Sequence, residues 1–169
     1  MKTLGVGIVL MVALFFCLPY HLYMKQLWKK NPEKSWGKAR KFVSGFFRFE
    51  LKLSGCKVNV IGKENIPQEG PVLFVGNHRS YFDILIYHEA IGKPLGYLAK
   101  KEMEKIPLLP LYMRDIGCLF LDRDDIKQGL SVIKQGTEYM KQGHSMVVFP
   151  EGTRNQTDTL LPFREGGYK

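Results

Sequence analysis

Two short apolar runs, residues 71–76 and 145–149, each lead into a dense polar block, and this repetition constrains the fold more than any other feature. Continuous apolar runs of five or six residues bounded by Gly and polar residues fit buried strands. The first leads into Asn77-His78-Arg79-Ser80-Tyr81-Phe82-Asp83, the second into Phe149-Pro150-Glu151-Gly152-Thr153-Arg154. Both blocks then sit at the carboxyl ends of strands, where α/β sheets build their sites. One supplies a titratable base and a carboxylate to orient it. The other supplies an acid, a Gly-containing turn and an Arg, a set suited to an anion. Together they imply acid–base chemistry on a phosphorylated substrate.

The remaining sequence after residue 56 alternates strand-like and helix-like runs, as expected of an α/β domain with a mostly parallel or mixed central sheet flanked by helices. Residues 57–61 alternate polar and apolar and predict an edge strand. The continuous run 71–76 predicts a central one. Further strands are expected at 95–99, 117–121 and 145–149, with helices at 81–91, 101–105 and 125–142. In the last helix Ile126, Leu130, Ile133 and Met140 fall near one stripe, and Gly143 ends it.

Charge is unevenly spread. Of a net +9, +8 lies in residues 1–56, and residues 57–169 are nearly neutral. A uniformly basic nucleic-acid binder would not show this split; a basic excess bracketing apolar segments points to an anionic membrane surface. From Thr3 to Met24 no side chain is formally charged, and as a helix these residues would span roughly 33 Å at ~1.5 Å per residue. An uncleaved membrane anchor over residues 1–34 is the expectation. A cleaved signal peptide is the alternative, but it lacks a small-x-small cleavage site. Pro19 leaves a kinked or interfacial pose open. Lys25, Lys29, Lys30, Lys34 and Lys38 follow, and the positive-inside bias places the rest of the chain on the cytoplasmic side. Residues 35–56 predict a basic amphipathic helix whose Ala39, Phe42, Val43, Phe46 and Phe47 lie either in the membrane interface or against the domain. Cys17, Cys56 and Cys118 have no metal-like spacing and are expected to be reduced and buried. His88-Glu89 begins a zinc-protease pattern, but Gly92 stands where the second His belongs, so His88 and His144 read as surface or satisfied residues.

His78 and Asp83 are five apart, which on one helix would set them about 140° from each other. They can pair if His78 lies in the turn after the strand and Asp83 in the first helical turn. Ser80-x-x-Asp83 equally fits a capping box that starts the helix. A carboxylate behind an imidazole fixes its tautomer and frees the other nitrogen to accept a proton. No Gly-x-Ser-x-Gly elbow occurs, which disfavours an acyl-enzyme hydrolase and leaves a substrate hydroxyl as the nucleophile. Gly152 lets backbone approach a ligand closely, and Arg154 offers a fork of donors to a phosphate. Arg123 stands just past the strand at 117–121, where it serves either the same anion or a solvated surface.

Three blocks in register carry a resemblance. Asn77-His78-x-Ser80-x-x-Asp83, Gly117-x-x-Phe120-x-x-Arg123 and Phe149-Pro-Glu-Gly-Thr-Arg154 are similar to the conserved blocks of the lysophospholipid acyltransferase family, over roughly residues 57–169. The resemblance implies a glycerol-3-phosphate acyltransferase-like fold, His78 as base and Asp83 as its orienting partner. It also implies that Arg123, Glu151, Gly152, Thr153 and Arg154 surround a substrate phosphate, with Lys100 near the thioester. The implied partners are lysophosphatidic acid, a membrane phospholipid surface, and acyl-CoA or acyl carrier protein as donor, with no cofactor, metal or nucleic acid. The family's fourth block, a Pro-flanked apolar strand, has no counterpart here, so residues 161–169 are expected to lead into a further helix and strand of a longer protein.

Overall fold

The structure, a computed structural model, describes residues 2–163. Residues 164–169, most of the expected lead-in to further structure, lie outside the described residues. Four parallel strands form the sheet: β1 (Leu73–Val75), β2 (Leu95–Lys100), β3 (Leu119–Leu121) and β4 (Ser145–Val148), in the order β1-β4-β2-β3. Helices α4 (Phe82–Ile91), α5 (Leu109–Asp115) and α6 (Ile126–Lys141) connect them, and a 3₁₀ turn at Lys101–Lys105 precedes α5. Parallel strands need such crossovers, and they leave all four carboxyl ends on one rim of the sheet.

Three helices precede the sheet: α1 (Lys2–Phe16), α2 (Leu18–Lys30) and α3 (Pro32–Leu53). The expected continuous helix from Thr3 to Met24 is broken at Cys17, because Pro19 lacks the N–H a continuing helix would use and fits only a first turn. No helix among the described residues is long and apolar enough to cross a membrane, so the expected spanning anchor is not seen as a single helix. The amphipathic helix forms as expected but turns its apolar face inward. Ala39 and Val43 of α3 pack with Met24, Leu95, Tyr97, Ile116, Cys118 and Val147, and Phe42 and Phe47 lie against this cluster. Of the two readings left open for this helix, packing on the domain is the one observed. Its far end stays apolar and exposed at Phe49 and Leu53.

Thus α2 to α5 cover one face of the sheet, and α6 covers the other through Val132, Tyr139 and Met140. Of the predicted stripe on α6 only Met140 packs inward; Ile126, Leu130 and Ile133 are 80%, 64% and 39% exposed. Glycines explain the difference. A Cβ on Gly129 or Gly136 would touch Leu121 or Leu119 at 3.5 and 3.4 Å, so this smooth face brings the helix close to β3. Two strand expectations also fail. Residues 57–61 are exposed and unpaired, because no described strand lies alongside to take their hydrogen bonds. The 71–76 run is an edge, not a centre: Phe74 faces the core while Leu73 and Val75 stay exposed beyond the reach of α6. The cysteines are free as expected, yet only Cys118 is buried; Cys17 is half-buried and Cys56 exposed.

Candidate active site

The chain leaves β1 through Gly76, whose N–H bonds the Val148 carbonyl at 3.2 Å. A side chain here would collide with the Tyr87 hydroxyl, so the exit needs glycine. Residues 77–81 then turn before α4 begins, which is what the five-residue offset of His78 and Asp83 requires. His78 Nδ1 and Asp83 Oδ2 lie 2.8 Å apart, and both side chains are mostly buried, at 16% and 19% exposed. The same Oδ2 accepts the backbone N–H of Arg79 at 2.6 Å and of Ser80 at 2.8 Å. Both sequence readings therefore hold at once: one carboxylate orients the imidazole and closes the turn that starts the helix. Ser80 contributes separately, its Oγ accepting the Phe82 N–H at 3.2 Å.

An ionised carboxylate only accepts, so the proton of neutral His78 must sit on Nδ1, and Nε2 keeps its lone pair. Among the described residues Nε2 has no hydrogen-bond partner. The imidazole also lies flat on Phe149, ring centres 4.3 Å apart and 15° between planes. Its edge and one face are thus both fixed, leaving proton exchange at Nε2.

The second block follows β4, the strand beside β1. A turn closed by the Gly152 N–H on the Phe149 carbonyl, at 2.9 Å, carries Gly152 at φ +67°, a left-handed conformation natural to glycine. Two links bind this turn to the first: the Asn155 N–H donates to the His78 carbonyl at 2.7 Å, and Arg154 lies over the Tyr81 ring. Glu151 is buried, and its Oε2 accepts from Asn155 Nδ2 at 2.8 Å and the Leu161 N–H at 3.0 Å. It shapes the loop from within, whereas Thr153 and Arg154 are exposed.

Sequence patterns missed Asn155. Its side chain also donates to the Thr159 carbonyl at 2.6 Å and accepts from the Thr157 N–H at 2.8 Å, so one buried amide organises residues 151–161. The signal was faint: Asn is common in turns, and nothing beside it shows that this one is buried.

Lys100 and Arg123 form a separate group. Lys100 ends β2 and pairs with Glu102 at 2.8 Å, Arg123 follows β3, and both charges hold the Glu102 carboxyl below its usual range, Lys100 first by its hydrogen bond. They share the rim with His78, but β1 and β3 are three strand steps apart, about 14 Å. The site is a row along the rim, with a base at one end, an Arg-bearing turn beside it and two cations at the other.

Comparison with known proteins bears on the family and the fold. The family model described as Acyltransferase matches residues 57–169. A Mycoplasma pneumoniae protein named "Probable 1-acyl-sn-glycerol-3-phosphate acyltransferase" is 36% identical over 143 residues, 82% of this chain and 52% of that one. The "1-acyl-sn-glycerol-3-phosphate acyltransferase" of Borreliella burgdorferi is 33% identical over 122 residues, covering 72% and 49%. The chain thus spans about half the length of these curated relatives. The crystal structure of the 1-acyl-sn-glycerophosphate (LPA) acyltransferase, PlsC, from Thermotoga maritima superposes with a TM-score of 0.78 at 27% identity, covering 99% of this chain and 66% of that one. With its sheet, its dyad at a strand end and a family match over two thirds of its length, the chain belongs to the acyltransferase family.

Proposed function

We propose that this chain transfers a fatty acyl group from a thioester, acyl-CoA or acyl carrier protein, to the sn-2 hydroxyl of 1-acylglycerol-3-phosphate, yielding phosphatidic acid. One observation carries the reading: an imidazole held on its edge by Asp83 and on its face by Phe149, with Nε2 unoccupied beside a turn that bears Arg154. His78 Nε2 takes the hydroxyl proton as that oxygen bonds to the thioester carbon. The C–S bond then breaks, and the imidazolium returns its proton to the departing thiolate. Asp83 stabilises the imidazolium in between. Arg154 serves the acceptor phosphate, and Lys100 and Arg123 serve the donor's end of the row. The names of the relatives support the choice of acceptor.

The deciding experiment measures thiol release from acyl-CoA with and without lysophosphatidic acid, in the whole protein. Release that requires the acceptor is expected. Release without it would make the protein a thioesterase, and no release at all would make it a lipid-binding module.

We further propose that α1 and α2 attach the protein to a phospholipid surface without spanning it. Ile8, Val12, Phe15, Phe16 and Leu22 are exposed on these helices, and Lys25, Lys29 and Lys30 follow. Apolar insertion and attraction to anionic lipid then act together. Deleting the helices is a poor test, because Met24 is wholly buried in the core. Phe15→Ser with Phe16→Ser should instead reduce binding to phosphatidylglycerol vesicles, and the remaining attachment should weaken further in high salt. Undiminished binding would place the contact elsewhere.

A further inference from the structure

Arg154 has no carboxylate partner among the described residues, whereas Arg48, Arg79 and Arg114 pair with Glu89, Asp158 and Glu104. Its guanidinium carbon instead lies 3.9 Å from the centre of the Tyr81 ring. Tyr81 is 57% exposed, so burial in the core does not account for its place.

A guanidinium has two unlike surfaces. Its flat face is weakly hydrated and stacks on aromatic rings, while its edge carries five N–H donors in a fixed fork. A carboxylate partner would occupy the edge. A ring occupies only the face, so stacking fixes the side chain and leaves the fork open to a ligand. The backbone that carries the ring is well held: Tyr81 lies within the turn that Asp83 braces through Arg79 and Ser80. The Asn155 N–H on the His78 carbonyl ties the backbone next to Arg154 to that turn. Base, ring and guanidinium are therefore mounted on one frame.

From this we infer that Tyr81 is a positioning residue, a shelf that presents the donor edge of Arg154 to the phosphate of the acceptor and so favours phosphorylated over unphosphorylated acceptors. The inference rests on the acyl-transfer reading and sharpens its acceptor specificity. An unsupported Arg loses rotamer freedom when it binds a ligand; one already laid on a ring loses less.

Steady-state kinetics of the whole enzyme test it. Tyr81→Leu should raise KM for lysophosphatidic acid roughly three- to tenfold and leave kcat and the acyl-CoA KM within about twofold. Tyr81→Phe and Tyr81→Trp keep a π face and should restore the wild-type KM. With monoacylglycerol, which has no phosphate, Tyr81→Leu should match the wild type. In an Arg154→Ala background, Tyr81→Leu should add nothing, because the shelf acts only through Arg154. A kcat loss shared by both acceptors, or an effect that persists without Arg154, would reduce Tyr81 to a plain part of the turn and overturn the inference. If acceptor-dependent transfer holds but Arg154→Ala leaves the acceptor KM unchanged, the shelf fails and the acyl-transfer reading stands. If the wild type shows no acceptor-dependent transfer, the reading fails and the shelf with it.

Discussion

Asp83 Oδ2 receives three donors, one from an imidazole and two from backbone. Its substitution should therefore differ in kind from that of His78. On the proposed reading His78→Ala removes the base, and acyl transfer should fall by roughly 10²–10⁴, with a smaller loss of thermal stability than Asp83→Asn because Asp83 keeps its two backbone donors. Asp83→Asn should be as severe in rate and should also lower the melting temperature, since a neutral amide oxygen accepts the three converging donors more weakly than a carboxylate oxygen does. Paired rate and melting measurements check this; a His78→Ala enzyme keeping more than a tenth of the activity would refute the base assignment. The pairing was legible in sequence because a five-residue offset excludes a shared helical face and demands a turn. Phe149 as the floor of the imidazole was not legible, since ring stacking joins residues 71 positions apart that only the sheet brings together.

Helix existence was legible and helix orientation was not. On α6 the bulky residues Ile126 and Leu130 drew the eye, yet Gly129 and Gly136 set which side faces β3. An apolar stripe marks the core only when no smoother face competes for it. Here the smooth face wins because it lets the helix come closer. Gly136→Ala should then stabilise the protein by up to about 1 kcal/mol, because its Cβ would meet Leu119 at ordinary contact distance and Ala is the better helix former. Gly136→Leu should cost about 1–3 kcal/mol by pushing the helix off the sheet, and Leu130→Ser should stay within about 0.5 kcal/mol. Urea denaturation of the three variants checks the order. Helix α5 escaped notice because Pro107 and Pro110 break up a short apolar stretch, and the pattern at 57–61 misled because alternation gives a strand its face but not its neighbour.

At the scale of the whole molecule, two buried histidines tie the layers together. His144 stacks on Trp36 and bonds the Ile116 carbonyl at 3.0 Å; His88 lies edge-on to Phe47 near the Arg40 carbonyl. Burial is the main reason both are pushed down to about 4 from 6.5, so the folded protein holds them neutral where the unfolded chain would protonate them. Their stabilising effect is complete above pH 6.5 and is lost as pH falls from 6.5 towards 4, on the order of 3 kcal/mol each. Asp115 acts oppositely: burial raises it to about 6 against the pull of His21, which favours the fold on the acid side. Burial raises Glu50 as well, in the same sense as Asp115; the two histidines carry the larger shifts, and the melting temperature should drop between pH 6.5 and 4. A flat or rising profile would contradict neutral buried histidines.

The strand order also has a consequence in time. β1 and β2 do not touch; β4, last of the four in sequence, lies between them and is the only neighbour of β1 among the described residues. On the ribosome the base and its carboxylate emerge early and lie close in sequence, but their strand has nothing to pair with until some seventy residues later. An apolar strand edge therefore stays exposed while those residues are made, and the pairing of β1 and the joining of the two turns of the candidate site come together when β4 arrives.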